Sequence, residues 1–246
     1  ASKKINKVLV VYPGRFQPMG KHHAKIFELL KKKFGEDTFI VTSNKVELPK
    51  SPLNFKEKEL IINKHGIYNV REVKNPYQAK ELTSEYNPET TAIVFAVGDK
   101  DMRENPRFKI GFKKNGDPSY FQNYEDNKSN LLPYTEHGYL LVAPHVDIQI
   151  PGFGEMSGTT LRRVLSNSDK ETFENMMGFY DEGIHDMLKM KFSQPMVEKK
   201  PKTKKSSSPR KALRSKSKKS SSPRKALRSK SSLKTRAKTK KATKNN

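Results

Sequence analysis

The 246-residue sequence contains no cysteine, no long apolar run, and no acidic residue from Lys199 to Asn246. The absence of cysteine excludes disulfides and thiolate metal sites, and it fits a reducing compartment. A membrane-spanning helix needs about 20 consecutive apolar residues, so the lack of such a run predicts that the protein has no membrane partner. The first residues also lack the apolar core of a signal peptide, and we therefore expect an intracellular protein.

The charge of the chain is concentrated at one end. The formal net charge is +24, but 21 of the 50 Lys and Arg residues lie in residues 199–246. Residues 1–198 hold the other 29 basic residues together with all 26 acidic ones, which leaves this part nearly neutral. Such a division predicts a globular domain over residues 1–194 and a disordered tail, rich in Lys, Arg and Ser, over residues 195–246.

The predicted tail contains one 13-residue segment twice. Residues 205–217 and 219–231 are identical, and each has a Ser-Pro-Arg-Lys core. These segments resemble the basic tails of histone-like proteins, which implies binding to nucleic acid and a nuclear, DNA-associated or viral setting. Basic side chains bind polyanions because they displace counterions. The side chains expected to bind nucleic acid are Arg210, Lys211, Arg214, Arg224, Lys225 and Arg228. A nuclear address, or a spacer phosphorylated at Ser208 and Ser222, is the alternative interpretation.

Near the start of the chain, the sequence pattern changes from that of a strand to that of a helix. Residues 8–12 form a short, largely β-branched apolar run before a Pro-Gly turn, as in a strand buried on both faces of a parallel sheet. From Lys21 onward the apolar residues have helical spacing. The helix would carry His22 and His23 in its first turn, where free N–H groups and a partial positive charge favour a phosphate.

Similar strands and helices alternate through the rest of the predicted domain. Such alternation predicts βαβ units and hence an α/β fold, a Rossmann-like parallel sheet with flanking helices. The expected strands cover residues 8–12, 38–42, 68–73, 91–97, 138–143 and 147–150. The expected helices begin near Lys21, Phe55, Pro76, Thr160, Lys170 and Glu182. Leu60, Ile61 and Ile62 are expected on the core face of the second of these helices.

Three segments fall where a parallel sheet binds its ligands, beyond the carboxyl ends of the strands. Gly14-Arg15-Phe16, Gly98-Asp99 and Ser157-Gly158-Thr159 all follow predicted strands. The third segment is an ordinary helix start, but Arg162 lies about one turn further on, where it can return to the same phosphates. The position of all three segments on one rim predicts a nucleotide site.

Two of these segments resemble motifs of the nucleotidyltransferase superfamily, which includes the cytidylyltransferases and the nicotinamide-mononucleotide adenylyltransferases. Residues 14–23 resemble the G-R-F-x-P-x-H-x-G-H signature, and residues 156–162 resemble the distal I-S-S/G-T-x-x-R motif. The chain departs from the signature at two positions. Gly20 stands at the first signature histidine and His22 at the signature glycine, whereas His23 matches the second histidine.

The resemblance implies an enzyme that transfers AMP or CMP from ATP or CTP to a phosphate-bearing acceptor and releases pyrophosphate, with Mg²⁺ on the triphosphate. The nicotinamide-mononucleotide branch is the more similar one. The resemblance implies catalytic roles for Lys21, His22, His23 and Arg162, and nucleotide contacts from Gly14, Arg15, Phe16, Gly98, Asp99, Ser157, Gly158, Thr159 and Arg162. Because Gly20 replaces a histidine, the alternative is a catalytically weak scaffold that acts mainly as a DNA- or RNA-binding or virion-associated protein.

Residues 102–136 interrupt the alternation of strands and helices. This insertion is rich in Asn, Gly, Lys and aromatic residues, and a loop of such length is usually functional or disordered. The insertion has two interpretations. One is a lid or acceptor-binding wall with Arg103, Arg107, Lys113 and Lys114 as phosphate donors, and the other is a surface loop packed on itself.

No group of residues has the spacing of a metal site. Asp99 and Asp101 follow a predicted strand, where aspartate commonly forms a turn. The histidines interpreted as ordinary surface or core residues are His65, His137, His145 and His185. We therefore predict no metal ion bound by protein side chains alone.

Overall fold

The computed structural model describes residues 4–103 and 108–193. Its centre is a six-stranded parallel sheet, which confirms the predicted Rossmann-like α/β class. The strands are β1 Lys7–Pro13, β2 Thr38–Thr42, β3 Val70–Glu72, β4 Thr91–Val97, β5 Phe121–Asn123 and β6 Gly138–Val142. The predicted tail, with its repeats and its expected nucleic-acid contacts, lies outside the described residues.

The strand order is β3-β2-β1-β4-β6-β5. Strand β1 pairs with β2 on one side and with β4 on the other, so the chain moves outward from the centre in two directions. β4 is buried along its whole length because it is made of small, β-branched and aromatic residues covered on both faces. Ligands of open α/β sheets bind at such a switch point, beyond the carboxyl ends of the strands.

Helices and loops cover both faces of the sheet. The helices are α1 Lys21–Phe34, α2 Phe55–Lys64, α3 Lys80–Thr83, α4 Asp99–Arg103, α5 Tyr124–Asn127, α6 Gly158–Leu165, α7 Lys170–Met177 and α8 Glu182–Phe192. Alternate strand residues enter two separate cores, as the two-residue period of a strand requires. Val10 and Ile40 pack with α1, α2 and the three C-terminal helices, whereas Leu9 and Val11 pack with α3 and the insertion.

Two local expectations were wrong. The helix expected to begin at Pro76 begins at Lys80, because Ala79 has a left-handed φ of 47° that no continuous helix passes through. Leu60, expected on the buried face of α2, is 47% exposed, while the two isoleucines after it are fully buried. Consecutive helical residues point about 100° apart, so three in a row cannot all face the core.

The expected strand over residues 147–150 is not part of the main sheet. The chain there forms a separate antiparallel hairpin of β7 Gln149–Ile150 and β8 Gly154–Glu155. Ser157 therefore follows this hairpin rather than a strand of the parallel sheet. Across the described ranges, the helices fall short of the length and apolar character needed to cross a membrane.

Candidate functional site

A cleft of about 680 Å³ opens at the carboxyl ends of β1, β4 and β6. It lies at the switch point of the sheet, and the N-terminal ends of α1 and α6 both border it. The cleft therefore combines two helix ends that favour anions. The predicted site residues that line it are Gly14, Arg15, Phe16, His22, His23, Gly98, Asp99, Ser157, Gly158 and Arg162.

The turn between β1 and α1 is fixed by a backbone hydrogen bond and by aromatic packing. The Gly14 N–H donates to the Val41 carbonyl at 3.2 Å. Phe16 is buried with a positive φ of 47°, and its ring meets those of Tyr12 and His23 edge-on, with centroids 5.4 Å apart in both pairs. A Cβ at residue 14 would lie 2.9 Å from the Phe16 ring, so glycine makes room for that ring.

A buried glutamine ties this turn to the loop before α2. The Gln17 Nε2 donates to the Leu53 carbonyl, and the Leu53 N–H donates to Gln17 Oε1, both at 2.8 Å. This amide satisfies two buried backbone groups that have no ladder partner. The Gln17 carbonyl also accepts a hydrogen bond from Arg162 Nη1 at 3.1 Å. One residue thus connects the turn, the following loop and α6.

Gly20, the N-cap of α1, is a glycine for reasons of space. Its φ of −99° and ψ of 176° are extended values that any residue adopts. A Cβ here would lie 2.6 Å from Leu161 Cδ1 and 3.0 Å from His22 Nδ1. The imidazole of His22 therefore packs against the place where a side chain at residue 20 would begin.

Three histidines gather behind this turn. The His22 and His23 ring centroids are 3.8 Å apart, and His65 Nε2 lies 3.1 Å from the Met19 carbonyl. The Gly20 N–H donates to His23 Nδ1 at 3.1 Å, so a neutral His23 carries its proton on Nε2. The sequence interpretation missed His65, since nothing in its local pattern indicates proximity to the first turn of α1.

Burial keeps these histidines neutral. It lowers the pKa of His22 to about 4, with a smaller contribution from His65. Burial, followed by the two neighbouring imidazoles, holds the pKa of His23 well below its usual value, and burial also lowers the pKa of His65. The Nδ1 of His22 is buried and has no hydrogen-bond partner among the described residues. Buried ring nitrogens are normally paired, so this unpaired atom is an exception that lies against Gly20.

The start of α6 forms the other anion-binding end of the cleft. Ser157 is the N-cap, and its hydroxyl accepts from the Thr160 N–H at 3.2 Å. Arg162 is held by its bond to the Gln17 carbonyl and by a bond from Nη2 to Thr159 Oγ1 at 3.3 Å. A Cβ at residue 158 would lie 3.3 Å from Arg162 Nη1, so Gly158 leaves space for the guanidinium.

Arg15 and Arg162 are the two arginines that line the cleft. Burial and the charge of Arg15 lower the pKa of Arg162, but a guanidinium stays protonated at any physiological pH. Within the described ranges, neither arginine forms an ion pair with a carboxylate. Arginines that are not held in ion pairs, placed beside two helix N-termini, are suited to binding phosphate groups.

Acidic and aromatic side chains line the part of the cleft beside β4. Asp99 accepts from Arg103 Nε at 2.8 Å and is therefore already paired. Asp101 also lines the cleft. Burial, and then the charge of Asp101, raise the pKa of the Tyr12 hydroxyl, which stays protonated and able to donate. Tyr12, Tyr77 and Asp101 have no motif around them, and only their positions near strand ends could have indicated a role.

Two residues expected at the site do not line the cleft. Lys21 Nζ donates to the Asn175 carbonyl at 3.0 Å, in the last turn of α7, and its methylene groups pack beside Gly178. Lys21 is thus directed away from His22, its neighbour in the sequence. Thr159 is exposed and contributes through its bond from Arg162.

The insertion has the features of a self-packed segment rather than a lid. Phe108 and Phe121 enter the second core with ring centroids 4.8 Å apart, and β5 extends the sheet beside β6. No residue from 108 to 136 lines the cleft, and Arg103 is paired with Asp99. Arg107 lies outside the described residues.

One histidine interpreted as ordinary also lines the cleft. His145 lies in the loop after β6, and its Nε2 is 3.3 Å from the carboxylate of Glu155 on the β7–β8 hairpin, which lines the cleft as well. The two side chains border the same opening as Ser157.

No protein-family model and no curated protein sequence matches the chain. The solved structures that match include a protein assigned as a nicotinate-nucleotide adenylyltransferase from Vibrio parahaemolyticus, at 13% identity and a TM-score of 0.43, covering 77% of this chain and 98% of that one. A bifunctional NMN adenylyltransferase/ADP-ribose pyrophosphatase from Francisella tularensis, complexed with AMP and a manganese ion, matches at 14% identity and a TM-score of 0.41, over 77% of this chain and 50% of that one. The nicotinic acid mononucleotide adenylyltransferase of Plasmodium falciparum matches at 12% identity and a TM-score of 0.42, over 77% and 97% of the two chains. Function is therefore inferred from the chemistry of the cleft.

Proposed function

We propose that this chain is a nucleotidyltransferase that moves AMP or CMP from ATP or CTP to a phosphate-bearing acceptor and releases pyrophosphate. One observation carries the proposal. Two helix N-termini, two arginines that form no ion pair within the described residues and two neutral histidines surround a single cleft at the switch point of the sheet. A polyphosphate is the ligand whose charge and length suit such a set of groups.

In the proposed reaction, a phosphate oxygen of the acceptor attacks the α-phosphorus of the nucleotide. The bond from the α-phosphorus to its bridging oxygen breaks, the electron pair leaves with pyrophosphate, and a new P–O–P bond joins nucleotide and acceptor. Charge on the phosphate oxygens must be stabilised while the two reactants are held in line. Such chemistry depends on positioning and electrostatics rather than on a covalent intermediate.

His22 and His23 are assigned to the α-phosphate. His23 is neutral and carries its proton on Nε2, because Nδ1 accepts from the Gly20 N–H, so it donates a hydrogen bond without titrating near pH 7. His22 packs beside Gly20 and offers a buried Nδ1 without a partner. We propose that His22 takes the place of the histidine that is absent at residue 20, which favours an active enzyme over an inactive scaffold.

The other cleft residues are assigned by their position. Arg15, Ser157, Gly158 and Arg162 hold the β- and γ-phosphates and the leaving pyrophosphate, with Thr159 supporting Arg162. Gly14 and Phe16 present the turn to the nucleotide, and Gly98 and Asp99 border the nucleoside or the acceptor.

Mg²⁺ is proposed to accompany the triphosphate. In residues 4–103 and 108–193, no group of three or more His, Asp or Glu side chains is placed to hold a metal ion. Mg²⁺ commonly binds through substrate phosphates and keeps several waters. Bound in that way, it would offset part of the triphosphate charge.

The test is pyrophosphate release by the full chain with Mg²⁺ and either ATP or CTP. The acceptors offered are nicotinamide mononucleotide, which is favoured, phosphocholine, glycerol phosphate and pantetheine phosphate. Release with one acceptor should be lost in His23→Ala and Arg162→Met, and it should persist in Lys21→Met, which removes a charge outside the cleft. Nucleotide binding without release by any acceptor would support the scaffold alternative.

For the basic tail we propose binding to nucleic acid. The support is its composition, 21 Lys and Arg residues and no acidic residue over residues 199–246. Each phosphate contact releases a counterion, so the affinity of the full chain for duplex DNA should fall steeply between 50 and 200 mM salt, by about a thousandfold for six or more contacts. A flat response to salt would rule out this role.

A further inference from the structure

One lysine is completely buried next to the turn that carries Arg15. Lys58 of α2 is 2% exposed. Its Nζ donates to Thr42 Oγ1 at 2.8 Å and also to the Ser43 carbonyl. The Thr42 hydroxyl in turn donates to the Arg15 carbonyl at 3.4 Å. Lys58 is therefore one hydroxyl group away from the backbone of the anion-binding turn.

Two of the three N–H groups of this ammonium are hydrogen-bonded, but no ion pair compensates its charge. Both of its acceptors are neutral oxygens, and burying a charge without a counter-charge is costly. No carboxylate of the described residues forms an ion pair with Lys58. Burial lowers the pKa of Lys58 to about 8, and the exposed carboxylate of Glu72 on β3 offsets that shift only in part.

The other charged groups around Lys58 do not supply the missing negative charge. On α2, Glu57 pairs with Lys191 at 2.9 Å and Glu59 pairs with Lys56 at 3.2 Å. The end of β2 offers only a hydroxyl and a carbonyl. The turn after β1 brings Arg15, another cation. Among the described residues, the exposed Glu72 is the one carboxylate whose charge raises the pKa of Lys58, and the cleft begins at Arg15, one hydroxyl group from the ammonium.

We propose that the phosphate ligand of the cleft is the counter-charge of Lys58, which makes this lysine a buried part of the anion site. It strengthens nucleotide binding without touching the nucleotide, through its charge and through the Thr42 hydroxyl that fixes the Arg15 carbonyl. This inference rests on the proposed function, since it takes the ligand to be a nucleoside triphosphate or pyrophosphate. The buried charge of Lys58 is therefore expected to lower the stability of the ligand-free protein and to raise its affinity for the phosphate ligand.

The experiment compares Lys58→Met with Lys56→Met in the full chain. Lys56 lies on the same helix, but its side chain is 83% exposed, so both variants lose one positive charge. Calorimetry at pH 7 measures binding of MgATP and of pyrophosphate. Lys58→Met should bind both ligands about tenfold more weakly, because one charge at roughly 10 Å through an effective dielectric of about 20 has an effect of this size. The thermal midpoint of this variant should be no lower than that of the parent protein. Lys56→Met should bind like the parent.

A second measurement needs no variant. The pKa of Lys58 is followed by NMR of its assigned Cε signal with and without pyrophosphate. A tenfold gain in affinity from the protonated form requires pyrophosphate to raise that pKa by about one unit. An unchanged pKa, or a Lys58→Met variant that binds like the parent but unfolds more easily, would overturn the inference alone. A parent protein that binds neither ligand would overturn the proposed function as well.

Discussion

Gly20→Ala is predicted to damage the site by adding one methyl group. The backbone at residue 20 already has angles that alanine adopts without strain, so the effect must come from contacts. The new Cβ would lie 2.6 Å from Leu161 Cδ1 and 3.0 Å from His22 Nδ1. Both distances are well inside van der Waals contact, and Leu161 is fully buried. Either the buried Leu161 side chain or the His22 imidazole must therefore move.

The size of the effect follows from packing. Forcing a methyl group into a filled space costs about 1–3 kcal/mol, and alanine is a poorer N-cap than glycine, so the free energy of unfolding should fall by about 2–3 kcal/mol in total. Turnover should fall as well, because His22 loses its place beside the cleft. Leu161→Ala creates a cavity and is destabilising by itself. The double variant Gly20→Ala/Leu161→Ala should lose less free energy of unfolding than the sum of the losses in the two single variants, because the added methyl group partly fills the cavity left by Leu161.

Urea unfolding at 25 °C and pyrophosphate release measure these two effects. Gly183→Ala in α8 is the matched control, because its Cβ would meet only Asp181 Oδ1, at an ordinary 3.5 Å. That variant should be as stable as the parent, or more stable by up to about 1 kcal/mol. A Gly20→Ala variant with parental stability and turnover would refute the conclusion that this glycine is required for space.

Three further changes test other parts of the site. Gln17→Leu leaves the buried N–H and carbonyl of Leu53 without partners, so urea unfolding should show a loss of about 2–4 kcal/mol; a loss below about 1 kcal/mol would contradict the anchoring role. The folded state holds the pKa of His22 at about 4, against 6.5 for the ordinary residue, so it binds fewer protons than the unfolded chain between these values. The thermal midpoint of the parent should therefore fall as the pH drops from 6.5 to 4, and that of His22→Gln should fall less steeply. Equal dependence of the two thermal midpoints on pH would contradict this assignment of the His22 pKa. Lys21→Met should keep its nucleotide affinity and lose less than about 1 kcal/mol of stability, because it removes only the bond to the Asn175 carbonyl.

The parallel sheet could be predicted because its central strands carry strong, simple signals. Residues 8–12 and 92–97 are uninterrupted apolar runs, as is typical of strands buried on both faces. The same signal is missing from β5, which has only three residues and contains Gln122 and Asn123. Its place in the sheet depends on pairing with β6 and on the packing of Phe121, and neither is visible in the local sequence.

The composition of the cleft was predicted better than its geometry. Residues after strand ends do gather there, as sheet topology requires. Lys21 and His22 are neighbours in the sequence, but Lys21 bonds the Asn175 carbonyl on α7 whereas His22 borders the cleft. The space beside Gly20 is set by Leu161, and the third histidine comes from the end of α2. Contacts between distant parts of the chain have no local pattern, and these features could be found only from the structure.

The distribution of isotopic label tests the central claim most directly. The full chain is incubated with Mg²⁺, nicotinamide mononucleotide, and ATP labelled at either the α- or the γ-phosphorus. Nucleotidyl transfer predicts α-label in the acceptor product and γ-label in pyrophosphate, with both lost in Arg162→Met. Transfer of γ-label to the acceptor, or its release as inorganic phosphate, would show that the cleft performs a different reaction.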